Sequence, residues 1–143
     1  MADTLSPAAR SARMACIQGR DTKPEMLVRR MLYAMGYRYR LHAKDLPGKP
    51  DIVFRKRRKA IFIHGCFWHR HPDPTCRYAR LPKSRLDFWL PKLERNRQRD
   101  LEHMEKLSAE GWQTLIIWEC QLSDETHIKN LLHRFLEKDD VVI

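Results

Sequence analysis

Apolar residues recur at helical spacing in three stretches of the chain. The first begins at Thr22, whose hydroxyl can cap a helix with proline in its first turn, and ends at Gly36. The second begins near Ser84, should be disturbed at Pro91, and continues to Glu110. The third lies close to the C-terminus. The pattern thus predicts three helices separated by segments of a different period.

Short apolar runs between these helices predict strands. The runs at 51–54 and 60–63 flank a basic tip and read as a hairpin, whereas 37–41 alternates large apolar and basic residues like a half-exposed strand. Residues 112–118 are nearly all apolar or β-branched, which predicts a strand buried on both faces. The order helix, strands, helix, strand, helix indicates an α/β fold.

Composition narrows the class of protein. A length of 143 residues suits one domain, here 21–143, preceded by a basic arm at 1–20. The net charge of +10 favours a polyanionic partner, above all nucleic acid, although a solvated basic surface would carry the same charge. We expect a cytoplasmic protein without a membrane partner, because no apolar run approaches the ~20 residues that cross a bilayer. Clustered cysteines in such a protein more often bind metal than form disulfides.

Four residues have the types and spacing of a zinc site. Cys66, His71 and Cys76 follow one another at intervals of five residues, and Cys120 at the exit of the last strand can complete a tetrahedron. The alternative is that the cysteines are ordinary small buried side chains. Cys16 stands apart in the arm and is expected to be a free thiol.

His64 and His69 remain if His71 binds zinc. With Asp51 on the adjacent strand they can hold a hard divalent ion through the carboxylate and deprotonate water with an imidazole, which suits phosphodiester hydrolysis. Magnesium is often bound by only one or two carboxylates. Three simpler alternatives stay open: His69 replaces His71 at the zinc site, His64 only packs, and Glu25 is only the acid of a capping box.

The string FIHGCFWHRH, preceded by LPGKPD and followed by FWLPKLERNRQRD and GWQTLIIWEC, resembles the very short patch repair endonucleases, Vsr. The resemblance runs from the segment RSARM to Cys120. It implies the restriction-endonuclease-like PD-(D/E)xK fold, a central mixed β-sheet flanked by helices, with a structural zinc site. It also implies magnesium-dependent nicking of one strand on the 5′ side of the thymine in T:G mismatches, which arise by deamination of 5-methylcytosine.

The resemblance also assigns roles to individual residues. Asp51 and the backbone carbonyl of Ile63 would bind magnesium, His69 would activate the attacking water, and Asp100 would orient its imidazole. Asp100 and Asn96 fall on the apolar stripe of the second helix, so two polar groups face inward. The role of Asp100 that the resemblance implies accounts for a carboxylate at that position. The usual second acid and lysine of the superfamily are absent. The structural zinc ligands that it implies are Cys66, His71, Cys76 and Cys120, with a longer loop before Cys76 than in some relatives.

Further residues would contact the substrate. His64 and Glu25 would position hydrated metal or phosphate. Flat side chains beside a poorly stacked T:G wobble recover stacking energy, although aromatic residues also serve simply as core. The DNA-contacting residues that the resemblance implies are Met14, Phe67, Trp68, Trp89, Lys92 and Asn96. The basic tip 55–59 fits a solvated hairpin better than a phosphate contact.

The sequence therefore predicts a magnesium-dependent endonuclease with a structural zinc site, acting on double-stranded DNA with a T:G mismatch. In a bacterium it would act at the nucleoid. A single asymmetric lesion requires only one copy of the protein, which favours a monomer. Mismatch-repair proteins are possible partners that the sequence leaves open. The alternatives are a related nuclease of the same superfamily with another DNA target and a noncatalytic zinc-containing DNA-binding module.

Overall fold

A computed structural model describes residues 22–137, so the predicted arm at 1–20 lies outside the described part. Within it are three helices and four strands. In chain order these are α1 (Lys23–Ala34), β1 (Arg40–Leu41), β2 (Ile52–Phe54), β3 (Lys59–His64), α2 (Leu86–Ala109), β4 (Gln113–Trp118) and α3 (Glu125–Glu137), with 3₁₀ turns at Arg77–Ala79 and Glu119–Ser123. No helix among the described residues has the length and apolar character needed to span a membrane.

The four strands form one mixed sheet in the order β1-β2-β3-β4. The first three are antiparallel, which confirms the predicted hairpin, and β4 joins β3 in parallel. The register pairs Ile52 with Ile61 and His64 with Trp118. Because β2 runs against β3, the residue that enters β2 lies beside the residues that leave β3. One end of the sheet therefore brings together Asp51, Ile63 and His64.

Helices cover both faces of the sheet. On one face α1 and α3 pack against alternate strand residues, including Ile52, Ile61 and Ile117, none of which is exposed. On the other face α2 contributes Leu107, which packs with Val53 and other residues of the second cluster. The period of two in a strand sends neighbouring residues to opposite faces, so both apolar layers come from the same strands. The predicted mixed sheet between helices is thus the observed arrangement.

Three predicted elements differ from the structure. The strand expected at 37–41 is reduced to β1, at 40–41. The strand expected to be buried on both faces, β4, lies at the sheet edge with one pairing partner, so most of it is only half-buried. Helix α2 passes through Pro91 without interruption. The hydrogen bond lost there would end on the carbonyl of Asp87, an exposed residue whose carbonyl water can reach.

The ends of two helices are fixed by identifiable contacts. Thr22 caps α1 as predicted, with its hydroxyl accepting from the Glu25 amide at 3.4 Å. The basic tip is exposed at 55–58, but Lys59 is buried, contrary to the solvated tip predicted there. Its ammonium donates to the carbonyl of Phe135 in the last turn of α3. A cation there offsets the unpaired carbonyls and the negative end of the helix dipole.

Candidate active site and cysteine cluster

Asp51 lies at one end of the sheet, immediately before β2. Its Oδ2 accepts a hydrogen bond from the Ile63 amide at 2.8 Å, which fixes the carboxylate beside the end of β3. Burial raises the pKa of Asp51 from 3.8 to about 6, and the charge of Glu25 adds to the rise, while the amide of Ile63 opposes it. A buried carboxylate that is short of positive charge is chemically suited to a cation.

Two histidine rings and a carboxylate continue the site from the end of β3. The rings of His64 and His69 stack with centroids 3.9 Å apart and planes at 8°. His69 Nδ1 lies 2.6 Å from Asp100 Oδ2 on α2. An ionised carboxylate only accepts hydrogen bonds, so Nδ1 carries the proton and Nε2 keeps its lone pair. The stacking and the carboxylate thus orient a ring that has one nitrogen available as a base.

The two histidines differ in their capacity to take a proton. Burial lowers the pKa of His64 from 6.5 to about 3, and the neighbouring His69 lowers it further. Its Nδ1 is buried and has no hydrogen-bond partner among the described residues. His69 is more accessible, with 32% of its side chain exposed, and it has a carboxylate partner in Asp100. Of the two, His69 is the ring suited to general-base chemistry.

Glu25 reaches the same region from α1. Its carboxylate contacts the guanidinium of Arg29, and His42 Nε2 lies 2.6 Å from Glu25 Oε2. These contacts give Glu25 a role beyond that of a capping-box acid. Ligand atoms of Glu25, His42 and Asp51 all lie within 4.8 Å of one another. His42 and Arg29 were not among the predicted site residues, since neither stands in a metal-ligand spacing; only the position of His42 after a predicted strand could have drawn attention to it.

The four predicted zinc ligands converge. One ligand atom each from Cys66, His71, Cys76 and Cys120 lies within 4.8 Å of the others. Cys66 is fully buried, and burial raises the pKa of its thiol. A thiolate at such a site needs a compensating cation, and three sulfurs with one imidazole are the donor set that zinc prefers. The predicted alternative in which His69 takes the place of His71 does not fit this grouping, because His69 is grouped with His64 and Asp100.

The predicted aromatic wedge is a contiguous cluster. Phe67 lies edge to face with Trp68 and Trp89, at centroid distances of 5.2 and 5.4 Å, and the two tryptophans are 5.9 Å apart. All three are half-buried, so they are not ordinary core residues. Phe88 extends the cluster, contacting Trp89 at 5.0 Å, and is 46% exposed. The cluster therefore offers flat, partly exposed apolar surface in the chain segment that leads directly into His69.

Two polar residues of α2 border the aromatic cluster. The ammonium of Lys92 lies 5.7 Å from the centroid of the Trp68 ring, within reach of a cation–π contact. Asn96 donates to the Trp68 carbonyl at 3.3 Å. Met14 and Cys16 lie outside the described residues. All predicted site residues from 22 to 137 therefore gather around one end of the sheet.

Comparisons with known proteins identify relatives of this chain. A profile of the family described as DNA mismatch endonuclease Vsr matches residues 2–74. The chain is 51% identical over 136 residues to type II nicking enzyme V.XorIIP of Xanthomonas oryzae, covering 92% of this chain and 98% of the relative. It is 41% identical over 122 residues to DNA mismatch endonuclease Vsr of Escherichia coli, covering 85% of this chain and 76% of that relative. Type II nicking enzyme V.NmeAIP of Neisseria meningitidis is 39% identical over 138 residues, 96% of each chain.

These similarities extend over nearly the whole chain and define its class, which is that of an endonuclease acting on DNA. The chain belongs to the Vsr family.

Proposed function

We propose that the protein nicks one strand of duplex DNA on the 5′ side of the thymine in T:G mismatches, by magnesium-dependent hydrolysis. The observation that carries the proposal is the His69 ring, which contacts Asp100 and stacks on His64, while Ile63, the residue before His64, donates its amide to Asp51. The general base and the cation-binding carboxylate then lie at one end of the sheet, as hydrolysis of a single phosphodiester requires.

His69 supplies the base in this mechanism. Its Nε2 takes a proton from a water molecule, while Asp100 accepts the hydrogen bond from Nδ1–H and stabilises the resulting imidazolium. The water oxygen bonds to phosphorus, the bond between phosphorus and the leaving deoxyribose oxygen breaks, and that oxygen takes a proton from solvent. His64 stays neutral because burial holds its pKa low, so it supports the ring of His69 without adding a second positive charge.

Asp51 would hold the magnesium, with the backbone carbonyl of Ile63 alongside and with Glu25 positioning water or phosphate. The fit rests on the donor set, since buried carboxylate oxygens are the ligands that magnesium prefers. When bound, magnesium withdraws electron density from the scissile phosphate and neutralises charge that develops on it. Asp51 has a fixed orientation for this task because the Ile63 amide holds one of its oxygens.

Cys66, His71, Cys76 and Cys120 would hold a structural zinc. The four ligands come from the loop after β3 and from the 3₁₀ turn after β4, so zinc would tie the two parallel strands together at their carboxyl ends. The ring of His71 also stacks on Trp118 with centroids 4.4 Å apart. The Trp118 ring also lies edge to face with the His64 ring, with centroids 5.1 Å apart, so the zinc ligands would support the catalytic end of the sheet through one side chain.

The aromatic cluster would recognise the lesion. A T:G wobble is poorly stacked, and inserting Phe67, Trp68 or Trp89 beside it costs less than at a fully paired step. Lys92 and Asn96 stand next to these rings with donors that can contact the mismatched bases. The basic net charge of +10 would supply the sequence-independent attraction to phosphate.

The proposal is tested by nicking of matched duplexes that differ in one base pair. We expect purified protein with magnesium to cut the thymine strand of a T:G duplex and to leave T:A and C:G duplexes of the same sequence intact. Asp51→Asn should abolish nicking while DNA binding is largely kept. Equal cutting of paired DNA would instead support a nuclease with another target, and an absence of magnesium-dependent nicking in every flanking context would support a noncatalytic DNA-binding module.

A further inference from the structure

His42 is held against Asp51 by the backbone. Its amide donates to the Asp51 carbonyl at 3.0 Å, just beyond the paired residues of β1 and β2. Its φ of 50° lies in the left-handed region, which few residues with a side chain adopt, histidine more often than most. With its backbone fixed beside Asp51, the imidazole reaches Glu25, where its Nε2 lies 2.6 Å from Oε2.

The donor atoms of His42, Glu25 and Asp51 have the spread of a single coordination sphere. They lie within 4.8 Å of one another, and Mg²⁺ and the first-row transition-metal ions bind nitrogen and oxygen at about 2.0–2.2 Å, so one ion reaches Asp51 and His42, and Glu25 directly or through a bound water, with small adjustments. The side chains of Glu25 and His42 are only 2% and 11% exposed. Such burial removes competing water from the ligands and keeps their orientation fixed.

The charge of the cluster also favours a divalent cation. Glu25 and Asp51 bring two negative charges when ionised, and Arg29, which contacts Glu25, brings one positive charge. One negative charge is left over in a poorly hydrated site. Arg29 Nη2 also lies 3.4 Å from His42 Nε2, so the guanidinium borders the same group of donors. An added cation balances this charge, with the guanidinium turning toward Glu25 or toward substrate phosphate.

We infer that His42 is a nitrogen ligand of the catalytic cation and that it makes this site accept Mn²⁺ more readily than a site built from oxygen alone. Magnesium prefers oxygen ligands, whereas Mn²⁺, a transition-metal ion, binds carboxylate oxygen and also accepts an imidazole nitrogen. The inference rests on the proposed function, since it concerns the cation that hydrolysis would use. It adds a residue that discriminates between cations.

Binding of Mn²⁺ alone to the purified zinc-loaded protein tests this assignment. Electron spin echo measurements detect the magnetic coupling of Mn²⁺ to a directly bound imidazole nitrogen. We expect this coupling in the wild type and its loss in His42→Gln, whose side-chain amide can still contact Glu25. His127→Gln, at an exposed histidine of α3, should keep it. Coupling that is absent from the wild type or unchanged in His42→Gln overturns the inference.

Two further variants keep the test decisive if His42→Gln does not fold. Mn²⁺ bound to His64→Gln and to His69→Ala must then retain the nitrogen coupling, because the inference assigns the coupled nitrogen to neither ring. Loss of coupling in either variant overturns it.

Nicking assays on a T:G duplex separate this inference from the proposed function. His42→Gln should raise the half-saturating Mn²⁺ concentration about tenfold or more, and the half-saturating Mg²⁺ concentration much less. Equal shifts for the two cations, or none, contradict the role of His42 while wild-type T:G nicking keeps the proposed function intact. A wild type that nicks no mismatched duplex with either cation overturns the proposed function itself, whatever ligand the Mn²⁺ spectrum reports.

Discussion

The Nδ1 atom of His69 lies 2.6 Å from Oδ2 of Asp100, a contact between residues 31 positions apart in sequence. It joins the loop after β3 to the middle of α2 and determines which nitrogen of the ring carries a proton. A carboxylate can only accept here, whereas an asparagine can donate its amide and reverse the tautomer.

We therefore expect Asp100→Asn to lower the rate of T:G nicking about 100-fold or more, because Nε2 would then carry the proton and could not act as a base. His69→Ala should lower it at least as far. Glu102→Gln removes the same charge from an exposed position on α2 and should leave the rate unchanged. Single-turnover nicking with saturating protein measures the rate, and an active Asp100→Asn would exclude His69 as the base.

The pKa of Asp51 predicts a dependence of stability on pH in buffer without added magnesium. Between pH 3.8, where an unfolded aspartate titrates, and about pH 6, where the folded one does, the folded state binds more protons. Stability contributed by the protonated carboxyl is therefore complete below pH 3.8 and is lost as pH rises through 6. Asp51→Asn, which can still accept from Ile63, should be more stable than the wild type at pH 7.5 by up to about 3 kcal/mol.

Urea unfolding of both proteins measures this difference, which should shrink towards pH 4. Asp45→Asn is the matched control, because Asp45 is exposed and its hydrogen bond with Arg55 lowers its pKa. That variant should show no stabilisation at neutral pH. An Asp51→Asn protein as unstable as the wild type across the whole range would mean that the carboxylate is already compensated by a cation or by water.

Removal of a single cysteine should release the zinc. We expect about one zinc per chain in the wild type and far less in Cys120→Ser, with a lower unfolding temperature, since loss of one ligand opens the tetrahedron that links the ends of β3 and β4. Cys16→Ser should keep full zinc content. Elemental analysis and thermal unfolding test this, and unchanged content and stability in Cys120→Ser would exclude it as a ligand.

Truncation of the aromatic cluster should weaken the binding preference for a T:G duplex more than it lowers the rate of hydrolysis. Trp89→Ala removes a ring that contacts Phe67 and Trp68, and loss of one stacking side chain costs about 1–3 kcal/mol in binding to nucleic acid. We expect the affinity for a T:G duplex to approach that for paired DNA. Tyr33→Ala, at an exposed aromatic residue of α1, is the control. Fluorescence anisotropy with the two duplexes measures the ratio of affinities.

Lys59 offers a test of the fold that is independent of function. Lys59→Met keeps the length of the side chain but leaves the Phe135 carbonyl without its charged donor, which should cost about 1.5–3 kcal/mol of unfolding free energy. Lys56→Met, at the exposed tip of the same hairpin, should change it little. A neutral result for Lys59→Met in chemical denaturation would show that the helix end finds another partner.

Local sequence rules predicted the elements of this fold well. Thr22 and Gly36 mark the ends of α1 because a capping hydroxyl and a residue with φ of 95° act within one turn of chain. The inward position of two polar residues of α2 could be predicted for the same reason, since helical spacing alone puts Asn96 and Asp100 on the apolar face of that helix. Local rules failed at β4, whose apolar run is typical of a central strand although it pairs on one side only.

The sequence by itself determined which residues could do chemistry: clustered histidines, cysteines and one aspartate at strand ends are rare enough to predict a metal-dependent site. The resemblance implied that His71 joins the cysteines and that Asp100 orients His69, but only the tertiary structure decided between this grouping and the alternative with His69 among the cysteines. It alone brought His42 to Glu25, across 17 positions of chain. The physical reason is that helix and strand periods are local properties of the chain, whereas convergence depends on sheet register and on which face each helix covers.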